Sequence, residues 1–464
     1  MTSHINTSFI SKLFTLLKES FSNQERDYTT GSLRKAIFLL AIPMMAEMVM
    51  ESIFAIVDIV FVSKLGSAAT ATVGLTEGML TIVYSLAFGI GMSGTAIIAR
   101  RIGEKNPLAA SKVAAQTLLI GFTCSAIISV LGLLFSENLL AFMGASASTI
   151  AYGKTYTQIL FIGNIVILSI HLLNGIFRGA GNAAIAMRSL LLANVLNIIL
   201  CPICIHFWGL TGAAIATTAG RGVGVLYQLY NLQKGNGQLT LKLSMFKPNS
   251  SLLKSIGALS ITNTLQFIIA SASWAAMVRI VSASGESAVA GYTIAIRLLI
   301  FFIMPAFGLS NAAATLVGQN LGANNPQRAQ ESVFKVAKYN AIFMLLVTIL
   351  FFVFGDFFVG LINHDAAVKA TGTLTLQIIS TGYIFYGVGM VLMNAFNGSG
   401  DSKTPTKVNF VCYWLIQIPL GYFLAFYCKL NVTGVCISIV GIEILITIIY
   451  FILFKKGNWK LTKV

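Results

Sequence analysis

The amino-acid sequence predicts an all-α integral membrane protein with twelve transmembrane helices, arranged as two parallel six-helix repeats. Three observations support this prediction: the composition is very apolar, the apolar residues fall into twelve stretches of membrane-spanning length, and the second half of the chain repeats the first. The 464 residues are 56% hydrophobic and only 10% charged, whereas about a quarter of the residues in a soluble domain are charged. The composition therefore excludes a water-soluble globular protein.

Twelve apolar stretches are bounded by charged residues or by Gly, Pro and Asn. A helix needs about 20 apolar residues to cross the hydrocarbon core of a bilayer. We place the first six spans at residues 37–62, 71–98, 114–135, 156–177, 185–207 and 210–230. We place the second six at residues 256–281, 289–317, 337–359, 374–396, 406–428 and 433–454. Prolines inside several spans are compatible with this assignment, because neighbouring helices in a membrane bundle satisfy the freed backbone groups.

The basic residues indicate how these spans are oriented. Of the 31 Lys and Arg, 24 fall in the two tails and in alternate loops, including Arg178 and Arg188 between spans 4 and 5, whereas 4 fall in the other loops. Cytoplasmic segments of membrane proteins are enriched in Lys and Arg. We therefore expect a multi-pass protein of the cytoplasmic (inner) cell membrane with both termini in the cytoplasm. Topology also explains the net charge of +16, so we expect no nucleic-acid partner.

The predicted spans divide the chain into five segments. These are a cytoplasmic tail at 1–36, a six-helix bundle at 37–230, a cytoplasmic linker at 231–255, a second six-helix bundle at 256–454 and a basic cytoplasmic tail at 455–464. Four apolar residues of the first tail recur near helical spacing, namely Phe9, Leu13, Leu17 and Phe21. An interfacial helix is one interpretation of this pattern, and plain disorder is the other.

An internal repeat relates the two bundles at an offset of 219 residues. Phe88-Gly89 aligns with Phe307-Gly308, and Asn106-Pro107 aligns with Asn325-Pro326. Because each copy has six spans, both copies enter the membrane from the same side. Parallel repeats of this kind recur in secondary transporters, where substrates bind near the repeat interface and access alternates by rocking.

Several motifs in this order resemble the multidrug and toxic compound extrusion (MATE) family over residues 32–455. They are Ile42-Pro43 followed by Asp58 and Gly66, a Gly three residues before Asn-Pro at 103–107 and 322–326, Phe-Arg-Gly-Ala-Gly-Asn at 177–182, Phe-Asn-Gly-Ser-Gly-Asp at 396–401, and Gly-x-x-Gly-Ala-Ala-Ile-Ala-Thr at 209–217. The resemblance implies secondary active multidrug efflux, in which amphipathic and mostly cationic organic compounds leave the cell by antiport with H⁺ or Na⁺. It implies no ATP site and no other cofactor.

Other function classes remain as alternatives. A lipid-linked oligosaccharide or lipid flippase of the same superfamily is the nearest one, and we expect such a protein to line its cavity with basic residues. An enzyme is not expected, because the sequence has no cluster of metal ligands and no pairing of a nucleophile with a base. The expected partners are small organic substrates and the lipid bilayer, with the protein acting as a monomer.

Three acidic residues lie on one face of the first span. Glu47, Glu51 and Asp58 occupy positions i, i+4 and i+11, and three carboxylates in a low dielectric cannot all remain ionised without cations. We therefore predict cation coupling at Asp58, Glu51 and Glu47. The alternative is that one or two of these acids are neutral or salt-bridged structural groups. The MATE resemblance implies a role for Asp58 and Asn197, and the two residues are a candidate Na⁺ site.

Polar faces of spans 4 and 5 are predicted to line a wet cavity in the N-terminal half together with the first span. The candidate substrate-binding or cavity-lining residues are Asn174, His171, Asn194, Arg221, Glu77, Gln266 and Glu443. Asn and His also join membrane helices by hydrogen bonds alone, and Glu77 is equally compatible with an interfacial position. We further hypothesise a switchable ion pair between Arg221 and Glu47 or Glu51. The family implies an Asp where this chain has Cys201, which leaves the identity of the coupling ion open.

Overall fold

The computed structural model describes residues 11, 14–22, 27–234 and 239–462, and their regular secondary structure is helical throughout. Residues 14–20 form a short helix before the first span. The apolar pattern predicted there includes Phe9 and Leu13, which lie outside the described residues. Phe14 is exposed on this short helix, and Lys35 pairs with Glu19 at 2.9 Å.

Twelve segments follow, in the order that the sequence predicts. The first six are α1 (Leu33–Ser63), α2 (Ser67–Gly103), α3 (Pro107–Phe142), α4 (Ala147–Gly179), α5 (183–208) and α6 (210–234). The second six are α7 (Ser250–Val281), α8 (Glu286–Gly322), α9 (Pro326–Gly360), α10 (Ala366–Thr381 with Tyr383–Ser399), α11 (Lys403–Tyr427) and α12 (Asn431–Lys456). α4 is interrupted at Gly163, and the two parts of α10 meet at an angle of 53°.

By length and apolar composition alone, nine helices of the described chain are able to cross a membrane, or ten when the bent pair in α10 is one span. One of the nine, Ala183–Lys234, contains both α5 and α6 and therefore crosses twice. The remaining helix, α1, has 31 residues and a length of about 46 Å at 1.5 Å per residue. The fold is thus an all-helical membrane bundle, as predicted.

Gly209 reverses the chain between α5 and α6. Its φ of 55° and ψ of −135° interrupt the helix, and glycine adopts a positive φ at little cost. Beyond this reversal, a Cβ on Gly212 would lie 2.0 Å from the carbonyl oxygen of Cys204. The two helices therefore run antiparallel in close contact, which brings residues of α6 opposite those of α5.

The repeated Asn-Pro motifs begin α3 and α9. Asn106 and Asn325 each accept a hydrogen bond, at 3.0 and 3.1 Å, from the backbone N–H three residues later. Pro107 and Pro326 occupy the first helical position, where a missing N–H costs nothing. The internal repeat thus preserves a helix start.

α1 contacts both halves of the molecule. Its first part, from Leu33 to Met44, belongs to an apolar core that is otherwise formed mainly by α8, α9, α10, α11 and α12. A Cβ on Gly308 of α8 would lie 2.4 Å from the carbonyl oxygen of Met44. The later part of α1, from Glu47 onward, faces α4, α5 and α6. α1 is therefore placed to transmit changes between the halves.

The two halves are in direct contact at the end of the bundle where α1 begins and α12 ends, which we call the terminal face. A Cβ on Gly103 would lie 2.0 Å from the carbonyl oxygen of Gln319, and one on Gly322 would lie 2.1 Å from that of Arg100. Only glycine permits backbones to approach so closely. The path between the halves is consequently closed at this face.

The segment just before α1 lies across this closed contact. Arg328 of α9 donates hydrogen bonds to the backbone oxygens of Tyr28, Thr30 and Gly31 at distances between 2.7 and 3.4 Å. The Tyr28 hydroxyl donates to the backbone oxygen of Gly181, at the end of α4, at 3.2 Å. Residues 28–31 therefore link the C-terminal half to the N-terminal half.

Candidate functional site

Asp58, in the second part of α1, is held by neutral side chains of α5 and α6. Asn197 Nδ2 donates to Asp58 Oδ1 at 3.1 Å, and Thr217 Oγ1 donates to Asp58 Oδ2 at 3.0 Å. Among the described residues, no Lys, Arg or His nitrogen lies within 4.0 Å of this carboxylate. The α5–α6 reversal at Gly209 brings both donors to the same carboxyl group.

Glu51, two turns earlier on α1, is paired with a buried arginine of α6. Arg221 Nη2 donates to Glu51 Oε1 at 2.6 Å, and the guanidinium lies 4.3 Å above the ring of Phe54. Two further guanidinium nitrogens of Arg221 and Oε2 of Glu51 are buried without hydrogen-bond partners. The pair is neutral as a whole, but its hydrogen-bonding capacity is only partly used.

Glu47, one turn earlier again, faces a different arginine. Arg178 Nη1 at the end of α4 lies 3.5 Å from Glu47 Oε1, and Glu47 is completely buried. Neither oxygen of Glu47 has a hydrogen-bond partner. The pattern of basic residues predicts Arg178 in a loop, but the residue is buried in the last turn of α4, where its charge pairs with Glu47. In this structure, Arg221 therefore pairs with Glu51 and not with Glu47.

The other polar residues predicted in the N-terminal half connect helices to each other. Gln228 Nε2 donates to Asn174 Oδ1 at 2.5 Å, and Asn194 Nδ2 donates to the backbone oxygen of Met50 in α1 at 3.0 Å. His171 is buried against aromatic rings, with ring centroids 5.7 Å from Tyr84 and 4.8 Å from Phe88. Its Nε2 has no hydrogen-bond partner.

Cys201, at the position where the family resemblance implies an aspartate, lies in an apolar cluster. It is fully buried with Cys204 and Ala216, and Phe61 of α1 packs against this cluster. The residue one turn from Asn197 is thus uncharged, and Asp58 is the acid that Asn197 contacts.

Two further predicted residues have no hydrogen bond or ion pair to Glu47, Glu51 or Asp58 among the described contacts. Glu77 of α2 is exposed. Gln266 of α7 is buried and accepts a hydrogen bond of 3.0 Å from Asn397 Nδ2 of α10. Gln266 therefore joins two helices of the C-terminal half.

A cavity of about 450 Å³ lies between the two halves. Its walls come from α1, α2, α7, α8, α10 and α12, with Met48 the contribution of α1. The aromatic side chains Tyr84, Phe88, Phe267, Trp274, Tyr383 and Tyr386 are part of the lining. This volume is within the range of about 300 to 1,000 Å³ that is usual for small-molecule sites.

Glu443 of α12 is the one acidic or basic side chain in this lining, among the residues that the structure describes. Of the seven predicted cavity residues, Glu443 therefore lines the cavity, and the other six lie outside its lining. Most residues of this lining belong to the C-terminal half, and the polar cavity expected in the N-terminal half stays a prediction. Phe267 and Trp274 of α7 line the cavity but are not among the predicted residues, because the apolar pattern alone gives no signal for them.

A smaller space of about 30 Å³ continues from the cavity. It shares Met48, Phe88, Phe267 and Phe307 with the cavity lining and is bordered by Arg178. Arg178, which pairs with Glu47, thus lies at the inner end of this smaller space, on the side of the closed terminal face.

Comparisons with known proteins agree with this architecture. The sequence profile of the MatE family matches residues 43–203 and 263–423, one copy in each half. The probable multidrug resistance protein NorM of Thermotoga maritima is 24% identical over 446 residues, which cover 95% of this chain and 96% of that protein.

Two solved structures are similar over nearly their whole length. One is the outward-facing conformation of a multidrug resistance MATE family transporter of the MOP superfamily, with 26% identity, a TM-score of 0.89 and coverage of 95% of this chain and 100% of that one. Another is a MOP superfamily transporter from Pyrococcus furiosus whose reversed pocket polarity suggests a different function, with the same identity, TM-score and coverage. With two matched repeats and twelve helical segments, this chain belongs to the MatE family of membrane transporters.

Proposed function

We propose that this protein exports amphipathic, mostly cationic organic compounds by antiport with H⁺ or Na⁺, and that Asp58 binds the coupling cation. The observation that supports this role most strongly is the contrast among the three acids of α1. Glu47 and Glu51 each face an arginine, whereas Asp58 is held by the neutral donors Asn197 and Thr217. A cation that binds Asp58 has no salt bridge to displace.

The oxygen atoms around Asp58 suit either coupling ion. The carboxylate accepts a proton directly, and carboxylate, amide and hydroxyl oxygens are the donors that hard cations prefer. Oδ1 of Asn197 is buried without a hydrogen-bond partner, so it is available as a further oxygen ligand. The chain's own part in this step is to hold the carboxylate between α5 and α6.

The position of α1 supports a coupling mechanism between this cation and the substrate path. The second part of α1 contains Asp58, Met48 lines the cavity, and the first part packs against α8. A cation shifts the equilibrium between conformations only as far as its affinities for them differ. We propose that cation binding at Asp58 changes the packing of α5 and α6 on α1, and that α1 transmits this change to the contact between the halves.

The substrate class follows from the cavity walls. Aromatic and apolar side chains form most of the lining, and no described lining residue is a Lys, Arg or His. A flippase for anionic lipid-linked sugars would need basic groups there, so the exporter is the function that the cavity supports better. The name of the Thermotoga maritima relative, a probable multidrug resistance protein, agrees with this choice.

We further propose that the protein acts as a monomer in the cytoplasmic membrane with both termini in the cytoplasm. The Lys and Arg bias of the tails and alternate loops supports this orientation.

Transport by purified protein in liposomes tests this proposal. Ethidium movement is followed by fluorescence while a pH gradient or a Na⁺ gradient is imposed, and the wild type is compared with Asp58→Asn. We expect one gradient to drive ethidium transport in the wild type and the rate to fall at least about tenfold in the variant, because Asn binds neither ion as a carboxylate does. Glu137→Gln, which changes an acid outside the network, serves as the matched control. Equal gradient-driven rates for Asp58→Asn and the wild type would contradict the role of Asp58.

A further inference from the structure

Glu443 differs from the two glutamates of α1 in having no basic partner. It is 8% exposed, and among the described residues no Lys, Arg or His nitrogen lies within 4.0 Å of its carboxylate. Tyr413 of α11 donates a hydrogen bond to Glu443 Oε1 at 3.1 Å. A carboxylate in such surroundings is costly unless a counter-charge or a proton neutralises it.

The surroundings of Glu443 are those of a receptor for an organic cation. The carboxylate lines the cavity between the halves together with Trp274, Tyr84 and Tyr386. Aromatic faces attract cations, most strongly where water is excluded. A volume of about 450 Å³ accommodates the apolar body of such a cation next to the carboxylate.

The helix opposite Glu443 has an unusual backbone. Tyr413 lies in a π-helical stretch, Phe410–Gln417, of α11, and π-helical turns are rare and occur often at functional sites. Trp414 of the same stretch donates from Nε1 to the backbone oxygen of Ile269 in α7 at 3.1 Å. The stretch thus fixes the Tyr413 hydroxyl against the carboxylate of α12.

We propose that Glu443 is the residue that selects cationic substrates, its carboxylate pairing with the positive charge while the aromatic walls of the cavity contact the apolar body. This inference rests on the proposed export function and adds that the substrate charge and the coupling cation bind to different acids. Glu443 belongs to the C-terminal half and lines the cavity, whereas Asp58 belongs to the N-terminal half and lies outside the lining. Substrate and coupling ion therefore act on each other through helix packing and not by competing for one carboxylate.

Equilibrium binding with a charged and an uncharged ligand of similar shape tests this inference. The full chain in detergent is titrated with tetraphenylphosphonium and with triphenylphosphine oxide, without any ion gradient. We expect Glu443→Gln to weaken binding of the cation by about tenfold or more and to change binding of the neutral ligand much less, since a desolvated charge pair is lost only for the cation. Glu137→Gln, which alters an exposed acid at the far end of α3, is the matched control and keeps the selectivity of the wild type.

Two results would overturn the inference. One is unchanged binding of tetraphenylphosphonium by Glu443→Gln, and the other is an equal loss for both ligands, which indicates a structural role. Tyr413→Phe is a further control. It removes the hydrogen bond to Glu443 Oε1 but keeps the carboxylate, so we expect the preference for tetraphenylphosphonium to persist.

A measurement on the wild type avoids dependence on variant folding. A hydrophobic carbodiimide is added to the full chain, and the modified carboxyl groups are identified by mass spectrometry. We expect tetraphenylphosphonium to protect Glu443 from modification and triphenylphosphine oxide to protect it less. Equal protection by both ligands, or protection by neither, would contradict the inference. The protection experiment does not depend on coupling. Gradient-driven transport without cation-selective protection would leave the export function intact and refute the role of Glu443. Cation-selective protection without gradient-driven transport would refute coupling alone.

Discussion

Arg221 donates a hydrogen bond of 2.6 Å to Glu51 across the contact between α6 and α1. This pair neutralises the middle acid of α1 and holds α6 against the helix that also contains Asp58. Because the guanidinium also covers the ring of Phe54, its removal affects both charge and packing.

The first prediction concerns this ion pair. Arg221→Gln leaves the partly exposed Glu51 without its counter-charge. We expect a loss in the free energy of unfolding at the lower end of the roughly 3 to 5 kcal/mol that is typical for removing one partner of a buried pair, because the Glu51 side chain is 19% exposed. The double variant Arg221→Gln with Glu51→Gln is expected to recover a large part of that loss. Thermal unfolding of the purified variants measures both effects, and a double variant as unstable as the single one would contradict the account of the pair.

The second prediction concerns the hydroxyl that binds Asp58. Thr217→Val keeps the shape of the side chain but removes the donor to Asp58 Oδ2, at a cost of about 1.5 to 3 kcal/mol for a hydrogen bond to a charged group. We expect a change of about tenfold or more in the concentration of coupling ion that gives half-maximal transport. Thr123→Val, in which the lost bond is within α3, is the control. The same ion dependence in both variants would argue against a role for Thr217.

The third prediction concerns the position where the family resemblance implies an acid. Cys201→Asp places a second carboxylate beside Asp58, in a cluster that is apolar in this chain. We expect the variant to be less stable in the absence of the coupling cation and to bind that cation more tightly by about tenfold, because two like charges attract it together. Cys201→Ser controls for polarity without charge. An affinity for the cation equal to that of the serine variant would show that this position does not contribute to coupling.

The fourth prediction concerns the closed terminal face. Arg328→Gln removes hydrogen bonds to three backbone oxygens in residues 28–31, and we expect the halves to separate more often there. Hydrogen exchange followed by mass spectrometry is then expected to be faster in residues 315–322, where Thr315 and Gln319 donate to the backbone at the end of α4. Arg279→Gln, at an exposed position near the other end of the bundle, is the control. Unchanged exchange in residues 315–322 would contradict the linking role of residues 28–31.

Much of this fold is predictable from the sequence because the signals are local. Apolar stretches of sufficient length locate the twelve helices, and the shared face of Glu47, Glu51 and Asp58 follows from helical geometry alone. The offset of 219 residues reveals the repeat before any contact is known. The Asn-Pro motifs mark helix starts in both halves for the same local reason.

The pairing of these residues and the position of the cavity are not predictable in the same way. Arg178 belongs to the basic residues around the ends of the spans, and only tertiary packing shows that it faces Glu47. In a membrane protein, faces that contact lipid and faces that line an apolar cavity have the same composition. Phe267 and Trp274 therefore give no signal that distinguishes them from lipid-facing residues, although both line the cavity.

If Asp58 binds the coupling cation during exchange, a substrate gradient drives ion movement without any imposed ion gradient. Proteoliposomes are given an ethidium gradient alone, and entry or exit of H⁺ or Na⁺ is recorded with an internal pH dye or with radioactive Na⁺. We expect ethidium movement to drive one of these ions in the opposite direction in the wild type, and we expect Asp58→Asn to abolish this exchange. Ion exchange at the wild-type rate in Asp58→Asn would show that Asp58 does not bind the coupling cation.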